Sequence, residues 1–295
     1  MTLRDCCRDI REHEPLAGYT SFRTGGPARW LAQPADEAEL LALLDFAEQN
    51  SLPHTVIGRG SNLLAADAGY DGLVIRVAYG SAAAEGPLLR ADAGIRLGHL
   101  FELALEQGFT GLEFAAGIPG SLGGAIFMNA GAYGGEMKDV VHSVRWREPG
   151  GRIHEMPLSD LQFGYRTSRF STEGGTVLSV LFSLPRGDTA QSRLRQAELM
   201  QRRRDRQPLD LPSAGSTFKR PPGAFAGPLI EACGLRGARI GGAAVSHKHA
   251  GFVVNDEGAC SADIYRLIQE VRRTVEAETG ITLEPEVRLL GDFCD

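Results

Sequence analysis

GLEFAAGIPGSLGGAIFMNAGAYGGEM, residues 111–137, is the stretch on which the reading of this chain turns. Glycines at 117, 120, 123, 124, 131, 134 and 135 interrupt its apolar residues too often for a stable helix, since each costs about 1 kcal/mol against alanine. The apolar residues exclude a disordered linker equally well. What remains is ordered backbone that adopts positive φ or lets another group come close. A ligand presenting a phosphate or a flat ring suits such a segment, because backbone N–H groups without side chains can surround it. A run of tight turns in a β-rich core is the plainer alternative.

A second loop upstream strengthens the ligand reading. VIGRGSN at 56–62 runs from a strand into Gly-x-Gly, then a hydroxyl and an amide. It misses the dinucleotide fingerprint, because Leu63 stands where the third glycine belongs and no helix follows. No G-x-x-x-x-G-K-[ST] occurs, which excludes a P-loop ATPase. The two segments together read as a diphosphate held by glycine-rich loops on different lobes. One loop offers Gly58, Arg59, Gly60, Ser61, Asn62 and Leu63. The other offers Gly117, Ile118, Pro119, Gly120, Ser121, Gly123, Gly124, Asn129, Ala130 and Gly131.

At 295 residues the chain has room for two or three domains. Its 43% hydrophobic and 23% charged residues are those of an ordinary soluble protein. A net charge of −6 argues against nucleic acid or an acidic membrane as the main partner. The N-terminus is charged, with no secretory signal, and no apolar run approaches the roughly 20 residues of a membrane span. Cys6, Cys7, Cys233, Cys260 and Cys294 are odd in number and show no CxxC spacing, which points to reduced thiols in a cytoplasmic protein. His247 and His249 flank Lys248 and read as structural, because no third ligand is spaced for a metal.

The expected elements are strands at 28–33, 54–58 and 72–77, with a helix over Asp36–Asn50 capped by Asp36. A strand and then a helix, Leu97–Gln107, ending at Gly108, precede the glycine segment. Strands at 140–146, 152–156 and 176–184 follow it. Asp188–Arg206 reads as a polar helix whose Arg202-Arg203-Arg204 end faces the negative pole of the macrodipole. Beyond Pro208 the pattern gives a helix at 227–233, a strand at 250–255, a helix at 261–279 and a strand at 283–290. The expected class is α+β, with lobes at 1–80 and 81–187 and a third domain at 188–295.

YTSFRTGGPA at 19–28, VIGRGSNLL at 56–64, the glycine segment, YRTSRF at 165–170, PSAGSTFKRP at 212–221 and LEPEVR at 283–288 together resemble the UDP-N-acetylenolpyruvoylglucosamine reductase (MurB) family. The motifs come in the family's order from Gly18 to Gly291, and the C-terminal portion resembles the shorter subtype without an extra lid loop. The resemblance implies two FAD-binding lobes of the p-cresol-methylhydroxylase type and a C-terminal substrate domain. The implied reaction is reduction of an enolpyruvyl UDP-sugar to UDP-N-acetylmuramate, with NADPH as reductant and FAD as cofactor, by a cytoplasmic monomer.

That chemistry needs a fixed cation, a polarising acid and a proton donor. The matching motifs supply Arg166, Glu286 and Ser216 for those roles. Arg166 has the planar fork that suits a carboxylate. Nothing intrinsic to Ser216 marks it as catalytic; its assignment rests on the resemblance. Glu286 in an apolar strand is expected to be protonated with substrate bound, and Arg288, two residues on, shares its face. Tyr165, Lys219, Arg220 and Arg288 are the expected substrate contacts. An FAD oxidase of the same broad fold and a flavin-binding regulator without turnover are the competing readings.

Overall fold

The computed structural model describes residues 2–293, so Cys294 lies outside the described residues. The chain opens with α1 (Leu3–Cys6), β1 (Ile10–Pro15) and β2 (Pro27–Ala32). Next comes α2 (Glu37–Gln49), whose start is fixed as expected. The Asp36 carboxylate accepts the Glu39 N–H at 2.9 Å, satisfying a first-turn donor that the helix itself leaves open. β3 (His54–Ile57), β4 (Leu63–Ala65), β5 (Tyr70–Arg76), β6 (Ala82–Glu85) and β7 (Leu88–Asp92) lead to α3 (Leu97–Glu106). Gly108, at φ 77°, then turns the chain out of α3 in the left-handed conformation that glycine adopts without strain.

The glycine segment contains α4 (Leu122–Phe127), β8 (Gly131–Ala132) and β9 (Gly135–Glu136). A helix there corrects the expectation that its glycines exclude one. Tertiary packing offsets the poor propensity: the Gly123 N–H donates to the Ala93 carbonyl at 2.7 Å. A β-carbon at Gly123 would stand 3.1 Å from that of Ala93. So close an approach favours glycine. β10 (Val141–Arg147), β11 (Ile153–Pro157), α5 (Arg169–Glu173), β12 (Thr176–Phe182) and α6 (Thr189–Arg206) follow. The chain closes with α7 (Ala226–Ala232), β13 (Arg239–Ile240), β14 (Ala243–Val245), β15 (Val253–Asn255), α8 (Ser261–Thr279) and β16 (Arg288–Leu290).

Two compact units result. The first comprises Met1–Ile10, Ala32–Arg59 and Val74–Arg203; the second comprises Arg11–Leu31, Gly60–Leu73 and Arg204–Asp295. A four-stranded sheet has the order β1-β2-β5-β3. In the first unit a five-stranded sheet runs β11-β10-β12-β7-β6, antiparallel throughout. Every residue of its central strand β12 is buried, and α4 packs on that strand. Phe101, Phe109, Leu122, Phe170 and Phe182 fill the core around it. Arg147 on β10 is only 3% exposed and reaches α2 through Asp45 at 2.6 Å and Glu48 at 2.7 Å.

In the second unit α8 lies across the antiparallel sheet β13-β14-β15. Its apolar face, Ile264, Leu267, Ile268, Val271 and Val275, joins Phe22, Leu64, Phe218 and Leu283 in one core. Two Asp67 oxygens accept the first-turn N–H groups of Ser261 and Ala262 at 2.8 Å, which anchors the helix. β16 pairs in parallel with β4, Arg288 opposite Leu63. The strand expected at 283–290 is therefore only Arg288–Leu290. Pro285, which has no N–H for a ladder, makes an isolated bridge with Phe218 instead. Glu286 thus precedes the strand, and the expectation that Glu286 and Arg288 share a strand face is corrected. No helix among the described residues is long and apolar enough to cross a membrane.

Candidate active site

Each unit carries part of the expected constellation. In the first, the turn after β3 meets the glycine segment. A β-carbon at Gly58 would overlap Ser121 Oγ, so the two loops touch only because residue 58 has no side chain. Ser121 is buried and its backbone bridges Arg96. Around it the Leu97 N–H reaches the Gly120 carbonyl at 3.3 Å and the Leu122 N–H reaches that of Ile95 at 2.9 Å. The Ile118 N–H closes a turn onto Ala115 at 2.9 Å, ahead of Pro119, and the Ala130 N–H closes one onto Ala125 at 2.8 Å. Loops bared of side chains beside the Arg59 cation fit the diphosphate of a dinucleotide.

The helix end expected only to offset a macrodipole has a more specific task. The Arg203 guanidinium donates to the Gly117 carbonyl, and burial pulls its pKa down. A β-carbon at Gly117 would stand 2.5 Å from Met200 Sδ, so α6 lies directly over this loop. Arg202 instead pairs with Glu198 at 2.5 Å. Sequence reading missed Arg203 because its partner is a backbone carbonyl, which leaves no mark in the sequence.

Arg166 is held against the same segment. Its φ is +55°, and Asn129 and Tyr133 have φ of +42° and +54°. Non-glycine residues in this region are strained by about 1–3 kcal/mol and persist where surrounding contacts over-determine them. Those contacts are visible. The Asn129 amide donates to the Gly164 carbonyl at 2.9 Å and to Glu136 at 3.0 Å. Its oxygen accepts the Lys138 N–H at 3.0 Å. Asn129, 1% exposed, thereby staples the glycine segment to the loop that carries Arg166. Arg166 Nη2 donates to the Gly131 carbonyl at 3.2 Å, and its guanidinium lies 5.4 Å from the Tyr165 ring. Lys138 first, and Arg166 among the lesser causes, hold the Glu136 carboxyl below its usual range.

In the second unit Gly60, at φ +60°, lies so near Tyr19 that a β-carbon would overlap its carbonyl. The Ser21 N–H donates to the Gly60 carbonyl at 3.1 Å, which ties the 19–28 motif to the glycine turn. Asn62 Nδ2 donates to the Glu286 carbonyl at 2.9 Å, and the Arg288 N–H donates to the Asn62 carbonyl at 3.0 Å. Ser216 and Glu286 become neighbours through Thr217. The Glu286 N–H donates to the Thr217 carbonyl at 2.8 Å, and the Thr217 N–H donates to that of Gly251 at 2.8 Å. The Thr217 hydroxyl accepts the Val253 N–H at 2.9 Å.

Thr217 is fully buried while Ser216 beside it is exposed, so one holds and the other is presented. The hydroxyl doublet in AGSTFK was the available signal for this division. Lys219 pairs with Glu284, and the Arg220 guanidinium lies 4.4 Å from the Phe225 ring. Arg288 is exposed at the start of β16. His249 Nδ1 accepts the Gly251 N–H at 3.1 Å, and burial lowers its pKa, so the neutral ring serves as a backbone acceptor.

Residues 28–157 match a sequence profile described as an FAD binding domain. Residues 207–290 match the profile of the UDP-N-acetylenolpyruvoylglucosamine reductase C-terminal domain. A protein of Limosilactobacillus fermentum named UDP-N-acetylenolpyruvoylglucosamine reductase is 48% identical over 284 residues, covering 96% of this chain and 95% of its own length. One of the same name from Lactobacillus johnsonii is 45% identical over 294 residues, covering 99% of this chain and 98% of its own. The crystal structure of UDP-N-acetylenolpyruvylglucosamine reductase (MurB) from Thermus caldophilus superimposes with a TM-score of 0.80 at 35% identity. It covers 96% of this chain and 100% of its own.

Proposed function

The chain belongs to the UDP-N-acetylenolpyruvoylglucosamine reductase family, and from that premise we propose that it reduces enolpyruvyl-UDP-N-acetylglucosamine to UDP-N-acetylmuramate with NADPH as reductant. The product feeds peptidoglycan precursor synthesis. FAD, when bound, supplies hydride chemistry that no amino-acid side chain possesses. The turn at Gly58–Leu63 and the segment Gly117–Gly131 would hold its diphosphate and ring.

The remaining work falls to three side chains. A vinyl ether is electron-rich, so hydride addition at its CH₂ carbon requires the developing charge to spread into the adjacent carboxylate. Arg166 holds that carboxylate with a planar, permanently charged fork. Glu286, in its acid form, donates a hydrogen bond to the same charge. The Ser216 hydroxyl then delivers a proton to the α-carbon. Tyr165, Lys219, Arg220 and Arg288 bind the sugar nucleotide. For Lys219 this entails exchanging Glu284 for a phosphate.

The observation that carries the reading is Arg166, kept in a strained backbone conformation on the Gly131 carbonyl, because strain of this kind concentrates where function demands it. The test is the absorption spectrum of the purified protein, followed by NADPH and then the enolpyruvyl sugar nucleotide. Bleaching by NADPH and recolouring by the sugar nucleotide without O₂ is the expected result. Recolouring by O₂ alone would favour an oxidase. We further place the enzyme in the cytoplasm as a monomer, since its substrates are soluble nucleotides. Sedimentation at micromolar concentration tests the monomer.

A further inference from the structure

Among the described residues Phe225 alone of the phenylalanines is exposed, at 59%. A single apolar residue at the surface is ordinary; the setting is what singles this one out. Phe225 ends a preformed turn in the second unit. The Ala224 N–H donates to the Pro221 carbonyl at 3.2 Å, and between them stand Pro222 and Gly223, the latter at φ +72°. Proline followed by a glycine of positive φ is the chemistry of a type II turn. The ring's support is therefore stiff before any ligand arrives, which lowers the cost of ordering it on binding.

Phe225 is also the N-cap of α7, its carbonyl accepting the Leu229 N–H at 3.3 Å. Ala226 and Ile230 are the residues that α7 buries, so the Phe225 ring stays outside the core. Arg220, at the other end of the turn, lays its guanidinium over the ring, 4.4 Å from the centroid. With the cation on one face and more than half of the residue still exposed, the other face is open to a second flat group. Stacking engages the face of a guanidinium, whereas phosphate oxygens are bound in its plane. The pair can thus serve a base and a diphosphate together.

Along the chain come Ser216, then Lys219 and Arg220, then Phe225: a hydroxyl, two cations and an aromatic ring. A sugar nucleotide presents matching groups in the same order, the reacting ether on its sugar, a diphosphate and a base. We propose that Phe225 is the stacking platform for the uracil ring of the substrate, and that it selects a nucleotide over a bare sugar phosphate. This inference rests on the reductase reading above. Any base can stack on an aromatic face, and NADPH carries an adenine and a nicotinamide. The uracil is favoured because Ser216, on the same segment, acts on the sugar nucleotide.

The experiment compares inhibition by UDP and by N-acetylglucosamine 1-phosphate, a sugar phosphate without a base, against the enolpyruvyl sugar nucleotide. Wild type is set beside Phe225→Ala, Phe225→Leu and Phe225→Tyr, each checked for an unchanged urea midpoint. Alanine and leucine are expected to weaken UDP and raise KM for the sugar nucleotide about tenfold, with kcat within about twofold. The inhibition constant of N-acetylglucosamine 1-phosphate should stay the same, and Phe225→Tyr, which keeps the ring, should match wild type. Equal losses for both inhibitors would overturn the proposal, because the ring would then act only by placing Arg220. A leucine enzyme as good as wild type would overturn it too, since bulk without a ring would suffice. A rise confined to KM for NADPH would overturn the assignment to uracil. A wild type that binds UDP but does not turn over the enolpyruvyl sugar nucleotide would refute the reductase reading itself, a result distinct from an active enzyme indifferent to residue 225.

Discussion

Replacing Asn129 tests whether the glycine segment positions Arg166 or merely lies beside it. Asn129 is 1% exposed and makes three side-chain hydrogen bonds, to Gly164, Glu136 and Lys138. In Asn129→Ala, Glu136 keeps its Lys138 partner at 2.8 Å and the Gly164 carbonyl keeps the Thr167 N–H at 3.4 Å, but the Lys138 N–H loses its acceptor. Hydrogen bonds of this partly buried kind contribute about 1 kcal/mol each, or roughly 2 kcal/mol for the bonds to Gly164 and Lys138. Alanine at φ +42° adds about 1 kcal/mol of backbone strain that glycine would avoid. Asn129→Ala should therefore lose about 3 kcal/mol and Asn129→Gly about 2 kcal/mol.

Urea unfolding followed by the fluorescence of Trp146, buried in the same unit, measures these losses. Activity should fall with stability. A displaced Arg166 loop costs roughly 100-fold in kcat/KM, the usual penalty for misplacing a positioning group by about 1 Å. An Asn129→Ala protein within about 0.5 kcal/mol of wild type and within twofold in kcat/KM would refute the reasoning.

Four shorter predictions accompany it. Gly58→Ala should weaken flavin retention at least about tenfold, the equivalent of about 1.4 kcal/mol of overpacking, and Ser121→Ala in the same chain should restore part of it by removing the overlapped oxygen. Arg147→Met should cost about 2 kcal/mol at pH 7, less than a fully buried pair because both acids are partly exposed. Arg147 holds the Glu48 carboxyl below its ordinary range, so this stability is present above about pH 4.5 and is lost as pH falls through the lowered folded value. Unfolding of the two proteins should therefore converge at acid pH. His249 has a folded pKa below its ordinary 6.5, so its contribution is full above that value and lost as pH falls. His249→Asn should flatten that slope in urea midpoints taken between pH 7.5 and 5. Glu286→Gln should keep far more activity than Glu286→Ala, because an amide also donates a hydrogen bond, and equal collapse of both would exclude a protonated acid.

Local signals made much of the fold readable. The Asp36 cap fixed α2, and the stop at Gly280, with φ +70°, fixed α8 at Ser261–Thr279, where apolar residues recur at helical spacing. Contacts made at long range were not readable. β4 and β16 have three residues each, too few for a period to show, and they pair across most of the chain. α4 forms where local propensity is worst, because Gly123 must approach Ala93. Of the candidate site residues, those of the glycine loops, Asn129 among them, stood out by residue type, and Arg166 by its YRTSRF motif. The holding roles of Thr217, Asn129 and Arg203 did not show, since each acts on backbone groups supplied by the fold.

The most direct test is anaerobic stopped-flow absorbance on Ser216→Ala, with the two half-reactions recorded separately. The reductase account predicts that NADPH bleaches the flavin at close to the wild-type rate, while recolouring by the enolpyruvyl sugar nucleotide slows by about 100-fold or more, the share of a proton donor. Recolouring at the wild-type rate would contradict it.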